Sequence, residues 1–278
     1  MSARRSALFT PADDADMLRK AVDTEADAFV FDLEDAVPAE GKDAARANLR
    51  EVVPTLDTDR EVAVRVNAAD TDQFAADVDA AVDCGADAVA LPMVESGADV
   101  RAAWSALTDR TDDPPRLRVT IETPTGMHAG AEIADACRET GAVSLSFGFA
   151  DYCKAVGAPG TPDRIRERLE LLTVEYASMA GVDPVASVHL DIADTDGLRA
   201  VAKRARELGF VGMTAIHPAQ APVINDVFAP DEEELAQARR LVDAFDESDR
   251  DSLQVEGVFL DTATVDRYRR LLDRAGGE

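Results

Sequence analysis

Two carboxylates carry the first chemical signal. Glu122 ends the apolar run V-T-I-E at 119–122, and Asp151 ends V-S-L-S-F-G-F-A-D at 143–151. Each acid lies where an apolar strand would stop, one strand–helix unit apart, so both could face one point in space. Oxygen donors with no neighbouring cysteine or histidine suit a hard divalent cation, Mg²⁺ or Mn²⁺, with water and substrate oxygens completing an octahedron. Two solvated acids are the plainer alternative. With 55 acids among 278 residues, position rather than residue type has to carry the argument.

Arg65 stands inside V-A-V-R-V-N at 62–67, an otherwise apolar strand. A buried guanidinium needs an anionic partner. It reads either as a structural ion pair with Asp32 or Glu34, or as a clamp on a substrate carboxylate or carbonyl, and the two are compatible. F-D-L-E-D-A-V at 31–37 supplies Asp32, Glu34 and Asp35. Strand alternation sends Asp32 and Glu34 to one side and Leu33 and Asp35 to the other. One of these acids is expected to hold Arg65, or a water beside the metal. Of the three histidines, His217, before Pro218, is the best placed for substrate contact; His128 and His189 read as structural. No Ser-His-Asp elbow is present, and none of the four lysines lies in a strand, so Schiff-base chemistry is not expected.

The elements that must position these groups repeat every 25–30 residues or so. Strand-like runs fall at 6–11, 28–36, 61–67, 88–94, 118–124, 143–151, 186–191 and 210–218. Helical spacing falls between them, at 12–24, 39–53, 71–84, 97–107, 127–139, 162–180 and 194–208. Nearly continuous apolar strands alternating with helices imply a parallel sheet covered by helices. Eight strands favour a closed (β/α)₈ TIM barrel over an open sheet, and neither G-x-G-x-x-G nor a P-loop occurs. The strand ends named above then converge on one barrel mouth. The barrel is expected over 1–220. A C-terminal helical extension over 221–278 is expected to hold a helix at 231–245, a polar loop at 247–251, an apolar run at 255–261 and a last helix at 263–275. It is a candidate lid or oligomerisation element.

Composition sets the outer bounds. The net charge is −26, which disfavours nucleic acid. An acidic, lysine-poor surface on a chain 46% hydrophobic fits a folded protein adapted to high salt. No apolar run is long enough for a membrane span, and M-S-A-R-R-S-A-L-F-T at the start has no signal-like apolar region. Three cysteines without ligand spacing read as reduced thiols in a cytoplasmic protein.

A set of motifs also occurs in order: R-S-x-L-F-x-P at 5–11, D-L-E-D-A-V at 32–37, K-x-x-A-R at 42–46, V-R-V-N at 64–67, L-P at 91–92, I-E-T at 121–123, F-G-x-x-D at 147–151 and I-H-P-x-Q at 216–220. As a set they resemble the citrate lyase β-subunit-like group of the HpcH/HpaI aldolase superfamily. The resemblance implies a Mg²⁺-dependent TIM barrel, trimeric or hexameric, that makes or breaks a carbon–carbon bond between a 2-oxo acid and the enolate of an acyl-CoA thioester. It matches Glu122 and Asp151 to metal ligands, and Arg65 to a substrate-binding arginine. It also matches Asp261, in G-V-F-L-D at 257–261, to an acid contributed to a neighbouring subunit's site. Asp32 joins Arg65 and Asp261 as a catalytic candidate; Glu34, Glu122 and His217 are candidates for substrate contact. The chain departs from the family at Ala12 and Asp16, where glycine and arginine are common, at Ala150, and at Met213, near a usual lysine. Arg4, Arg5, Arg19 and Lys20 are then the bases available for CoA phosphates.

Overall fold

The computed structural model describes residues 4–248 and 250–275. The chain divides into two compact units, 4–228 and 229–275 within the described range. In the first, strands and helices alternate. β1 (Ser6–Pro11), α1 (Ala15–Ala21), β2 (Ala28–Asp32), α2 (Lys42–Val52), β3 (Glu61–Arg65), α3 (Phe74–Asp83), β4 (Ala88–Leu91) and α4 (Gly97–Thr108) form one half. β5 (Arg116–Ile121), α5 (Pro124–His128), α6 (Gly130–Thr140), β6 (Ser144–Phe147), α7 (Phe149–Ala155), α8 (Asp163–Ala180), β7 (Asp183–Ala186), α9 (Thr195–Leu208), β8 (Gly212–Ala215) and α10 (Gln220–Phe228) form the other. Each strand pairs in parallel with the next and β8 pairs with β1, closing an eight-stranded barrel.

Strand alternation divides the core in two. Leu8, Phe29, Phe31, Val62, Val64, Val89 and Leu91 join the large cluster under the helices. Their neighbours Ala7, Ala28, Val30, Ala63, Ala88 and Ala90 form a separate cluster with Phe9. This second face is small, and its two ends are polar. At the N-terminal ends of the strands Glu61 bridges Arg4 (2.9 Å) and Arg118 (2.7 Å). At the C-terminal ends stand Asp32, Arg65 and Glu122. The three cysteines are buried free thiols, and no described helix is long and apolar enough to cross a membrane.

Several expected boundaries move. The strand expected at 186–191 ends at Ala186, so His189 and Asp191 lie in a loop. There Asp191 accepts from the Ala193 amide, and Asp194 caps α9 through the Gly197 amide. The run at 143–151 stops at Phe147, and Asp151 sits in the first turn of α7. The helix expected at 127–139 is two helices. Gly130 opens the second, and Tyr176 packs onto it: a Cβ there would lie 2.0 Å from the ring. In the second unit, α11 (Glu232–Asp246) starts with an Asp231–Glu234 capping box. The apolar run at 255–261 is a hairpin, β9 (Ser252–Val255) and β10 (Val258–Asp261), whose turn residues Glu256 and Gly257 both have positive φ. α12 (Thr262–Ala275) follows. The polar loop expected at 247–251 includes Asp249, which lies outside the described residues.

Candidate active site

β2 and β3 pair so that Asp32 stands directly beside Arg65. In parallel strands, paired residues face the same way, so the two side chains meet. Arg65 Nε donates to Asp32 Oδ1 at 2.7 Å and Nη2 to Oδ2 at 2.6 Å, a fork-to-fork pair. The Arg65 guanidinium also lies 4.9 Å above the Phe9 ring, and Nη1 is 2.9 Å from Glu34 Oε2. Asp32, 1% exposed, accepts two further bonds, from the Glu34 and Ala36 amides. Burial works against the charge on Arg65. The bond to Asp32 and the charges of Asp32, Glu34 and Glu122 outweigh that, holding the guanidinium above its ordinary range. Burial pushes the Glu34 carboxyl up to about 8, against the pull of Arg65.

Glu122 follows the last residue of β5. Its Oε2 accepts from the Met93 amide at 2.9 Å, and its other face lies on Gly148. A Cβ at Gly148 would stand 2.2 Å from Oε1, so only glycine leaves room for this carboxylate. The ladder explains the closeness, because Gly148 N donates to Ile121 O at 3.0 Å. Met93 adopts φ 54°, an unusual conformation for a residue with a side chain, and from it sends its amide to Glu122. Burial pushes Glu122 up to about 7; the Met93 amide and Arg65 oppose this, and Asp151 adds to it.

Glu122, Asp151 and Arg65 line one cavity of about 200 Å³, with Phe9, Thr120 and Gly148 among its walls. Two carboxylates line one cavity, and Glu122 is held toward protonation by burial and by the charge of Asp151, a donor set that a hard cation would relieve. Among the described residues no group of three or more His, Cys, Asp or Glu is arranged to hold a metal. A cation here would therefore take its remaining ligands from water and substrate, as Mg²⁺ commonly does. The residues fit the ion.

Among the barrel residues, His217 does not line this cavity. His217 is exposed beyond β8; its Nδ1 accepts from the Ala219 amide, and Thr214 and Ile216 line the cavity from that strand instead. Asp261 belongs to the second unit and caps α12 through the Thr264 amide at 2.7 Å, a bond that lowers its carboxyl pKa. Arg4 pairs with Glu61 and Arg5 with Asp27, beside the N-terminal ends of the strands. Arg19 pairs with Asp16 and Glu51. The open depression of about 780 Å³ beside α1 is lined by Asp13, Asp14 and Asp16 and by no base. Phe9, Met93 and Gly148 are site residues that residue chemistry alone missed. Phe9 and Gly148 left a trace, inside R-S-x-L-F-x-P and F-G-x-x-D; Met93 left none.

Fold and cavity together define the class: a (β/α)₈ barrel whose reactive groups gather at the C-terminal strand ends, where barrel enzymes place their chemistry. Within that class the chain belongs to the HpcH/HpaI aldolase/citrate lyase family, whose model matches residues 5–218. A (3S)-malyl-CoA thioesterase of Cereibacter sphaeroides is 36% identical over 276 residues, covering 98% of this chain and 94% of the relative. The citrate lyase subunit beta of Escherichia coli is 32% identical over 287 residues, covering 98% and 93%. The crystal structure of CitE from Mycobacterium tuberculosis in complex with magnesium, acetoacetate and coenzyme A matches at a TM-score of 0.80 and 32% identity, covering 99% of this chain and 98% of that one.

Proposed function

We propose that this protein is a Mg²⁺-dependent lyase that reversibly cleaves a 3-hydroxyacyl-CoA of the malyl, β-methylmalyl or citramalyl type into a 2-oxo acid and an acyl-CoA. The observation that carries this reading is the Arg65 clamp beside the Glu122–Asp151 pair in one small cavity. Glu122 and Asp151 would hold the cation, which when bound would stabilise negative charge on the substrate hydroxyl oxygen that becomes the keto carbonyl. Arg65, fixed by Asp32 and Phe9, offers positive charge to the same oxygen and to the 2-oxo acid carboxylate without reorganising during reaction. Asp32 accepts four hydrogen bonds, which suits orienting Arg65.

In the cleavage direction the substrate hydroxyl loses its proton to a base. The oxygen's electron pair forms the keto carbonyl, the C–C bond breaks, and its electrons move into the thioester enolate. An acid then protonates the enolate carbon. Asp261 of a neighbouring copy in a trimer or hexamer is the proposed group for that proton. As an aspartate it is a carboxylate at neutral pH and would take a proton from the acyl-CoA in the condensation direction. Glu34 and His217 are proposed to touch substrate at the mouth.

A second reading is supported by the likeness to the (3S)-malyl-CoA thioesterase. Water would attack the thioester carbonyl, releasing CoA without breaking the carbon chain. A third, supported by the likeness to citrate lyase subunit beta, is action on a carrier-protein thioester within a multi-chain complex. The test is a panel of malyl-, β-methylmalyl- and citramalyl-CoA with Mg²⁺ at high KCl, following keto-acid and free-thiol release separately. Keto acid without thiol supports the lyase; thiol without keto acid supports the thioesterase. Turnover undiminished in excess EDTA refutes both metal-dependent readings.

A further inference from the structure

We propose that Lys42, backed by Asn67 and Asp77, is a positioning residue for the Arg65 clamp; this rests on the reading of Arg65 as a binder of the 2-oxo acid. The K-x-x-A-R stretch at 42–46 has no part in the cavity itself. Lys42 opens α2 and is only 9% exposed. Its Nζ donates to Leu33 O at 2.7 Å, to Glu34 O at 3.0 Å and to Asn67 Oδ1 at 2.9 Å. Asn67 Nδ2 donates to the same Leu33 carbonyl at 2.9 Å, and Asn67 N donates to Asp77 Oδ2 at 2.8 Å. Asp77, fully buried on α3, accepts from Arg46 Nε at 2.7 Å, one turn along α2.

Two helices thus hold one stretch of backbone, Leu33–Glu34, from behind. From the front that stretch carries Glu34 against Arg65 and follows Asp32, which binds both the Glu34 amide and the Arg65 guanidinium. β2 ends at Asp32, so the two carbonyls beyond it need partners other than a strand ladder. Placing a lysine in a buried position with only neutral acceptors is unfavourable unless each donor is used. A packing role would be met by an apolar side chain. The three directed bonds are what an apolar chain cannot supply, and they fix where Asp32 and Glu34 present their carboxylates. Glu122 follows β5 and Asp151 lies on α7, so neither is carried by this stretch of backbone.

The experiment compares wild type, Lys42→Met and Lys42→Gln. It uses calorimetric binding of Mg²⁺ alone, glyoxylate binding at saturating Mg²⁺, and hydrogen exchange at the Glu34 and Ala36 amides. Misplacing the guanidinium by about 1 Å is expected to weaken glyoxylate on the order of 10²-fold in Lys42→Met. Amide protection at 34 and 36 should fall, while Mg²⁺ affinity stays within about threefold of wild type. Lys42→Gln, which keeps a donor, should lie between; if Lys42→Met does not fold, it supplies the same comparison. Glyoxylate affinity within twofold of wild type in a folded variant overturns the proposal. So does parallel loss of Mg²⁺ and glyoxylate binding with a lowered melting temperature, which would mark a merely structural lysine. Wild-type protein that binds Mg²⁺ but not glyoxylate fails differently: it removes the Arg65 reading and this inference with it.

Discussion

Replacing Gly148 by alanine tests the metal reading through a single methyl group. Gly148 has φ −90° and ψ 100°, a conformation alanine adopts without strain. The added Cβ, however, would stand 2.2 Å from Glu122 Oε1, 2.7 Å from its Cγ and 2.8 Å from its Cδ. Ordinary contact is about 3.5 Å, so the carboxylate must retreat by about 1 Å. That movement breaks the 2.9 Å bond from the Met93 amide. Mg²⁺ demands oxygens near 2.0–2.1 Å in a near-octahedral shell, so a ligand shifted that far is lost. Disturbing a ligand's supporting contacts typically weakens metal affinity about 10- to 100-fold, and loss of one of two protein carboxylates belongs at the upper end. Gly148→Ala is therefore expected to weaken Mg²⁺ binding about 100-fold, near 2.7 kcal/mol, with circular dichroism little changed and melting lowered by the overpacked carboxylate and its broken amide bond. In the Glu122→Gln background the same alanine should add almost nothing, because the group it displaces no longer binds metal. Wild-type Mg²⁺ affinity in folded Gly148→Ala would refute the placement of the ion on Glu122.

Four further outcomes follow from the same geometry. Glu122 is raised from 4.5 to about 7, so Mg²⁺ competes with a proton; affinity should fall about tenfold per pH unit below 7, and a flat Mg²⁺ titration between pH 5.5 and 8.5 would refute this. In metal-free protein the sign runs the other way for stability. Folded Glu122 and Glu34 keep protons that the unfolded chain has lost above 4.5, so stability should fall as pH rises from about 4.5 toward 7–8 and recover with Mg²⁺ in chemical denaturation. Arg65→Lys cannot reproduce the forked bond to Asp32 or the planar contact with Phe9; kcat/KM should drop on the order of 10²-fold with Mg²⁺ affinity retained. Met93→Gly relieves positive-φ strain on the order of 1 kcal/mol and adds a similar unfolded-state entropy, leaving melting nearly unchanged, whereas β-branched Met93→Val should destabilise by about 1 kcal/mol or more.

Much of the barrel was legible because each strand–helix unit is encoded locally. Apolar runs of strand length and acids at strand ends lie within short windows. Where local reading failed, a distant residue intervened. The helix expected at 127–139 breaks at Ala129, where Tyr176 packs on Gly130 and its hydroxyl binds the Met127 carbonyl at 2.9 Å. The run at 186–191 is extended and apolar enough to read as strand, yet β7 pairs with its neighbours only through Asp183–Ala186. Asp151 reads as the end of a strand because F-G-F-A is apolar; it lies instead on a helical turn that starts after Gly148.

By itself the sequence determined the order of eight strands, the family, and the short set of acids and the one arginine from which a site could be built. Those depend on residue types at fixed separations along the chain. The tertiary structure alone decided how those groups are committed. Strand register put Asp32 beside Arg65 and Gly148 beside Glu122. Closure of the barrel shut water out of Glu122 and raised its pKa, and the strained Met93 turn aimed an amide at it. These are effects of distance and desolvation between segments far apart in the chain, and spacing along one strand carries no record of them.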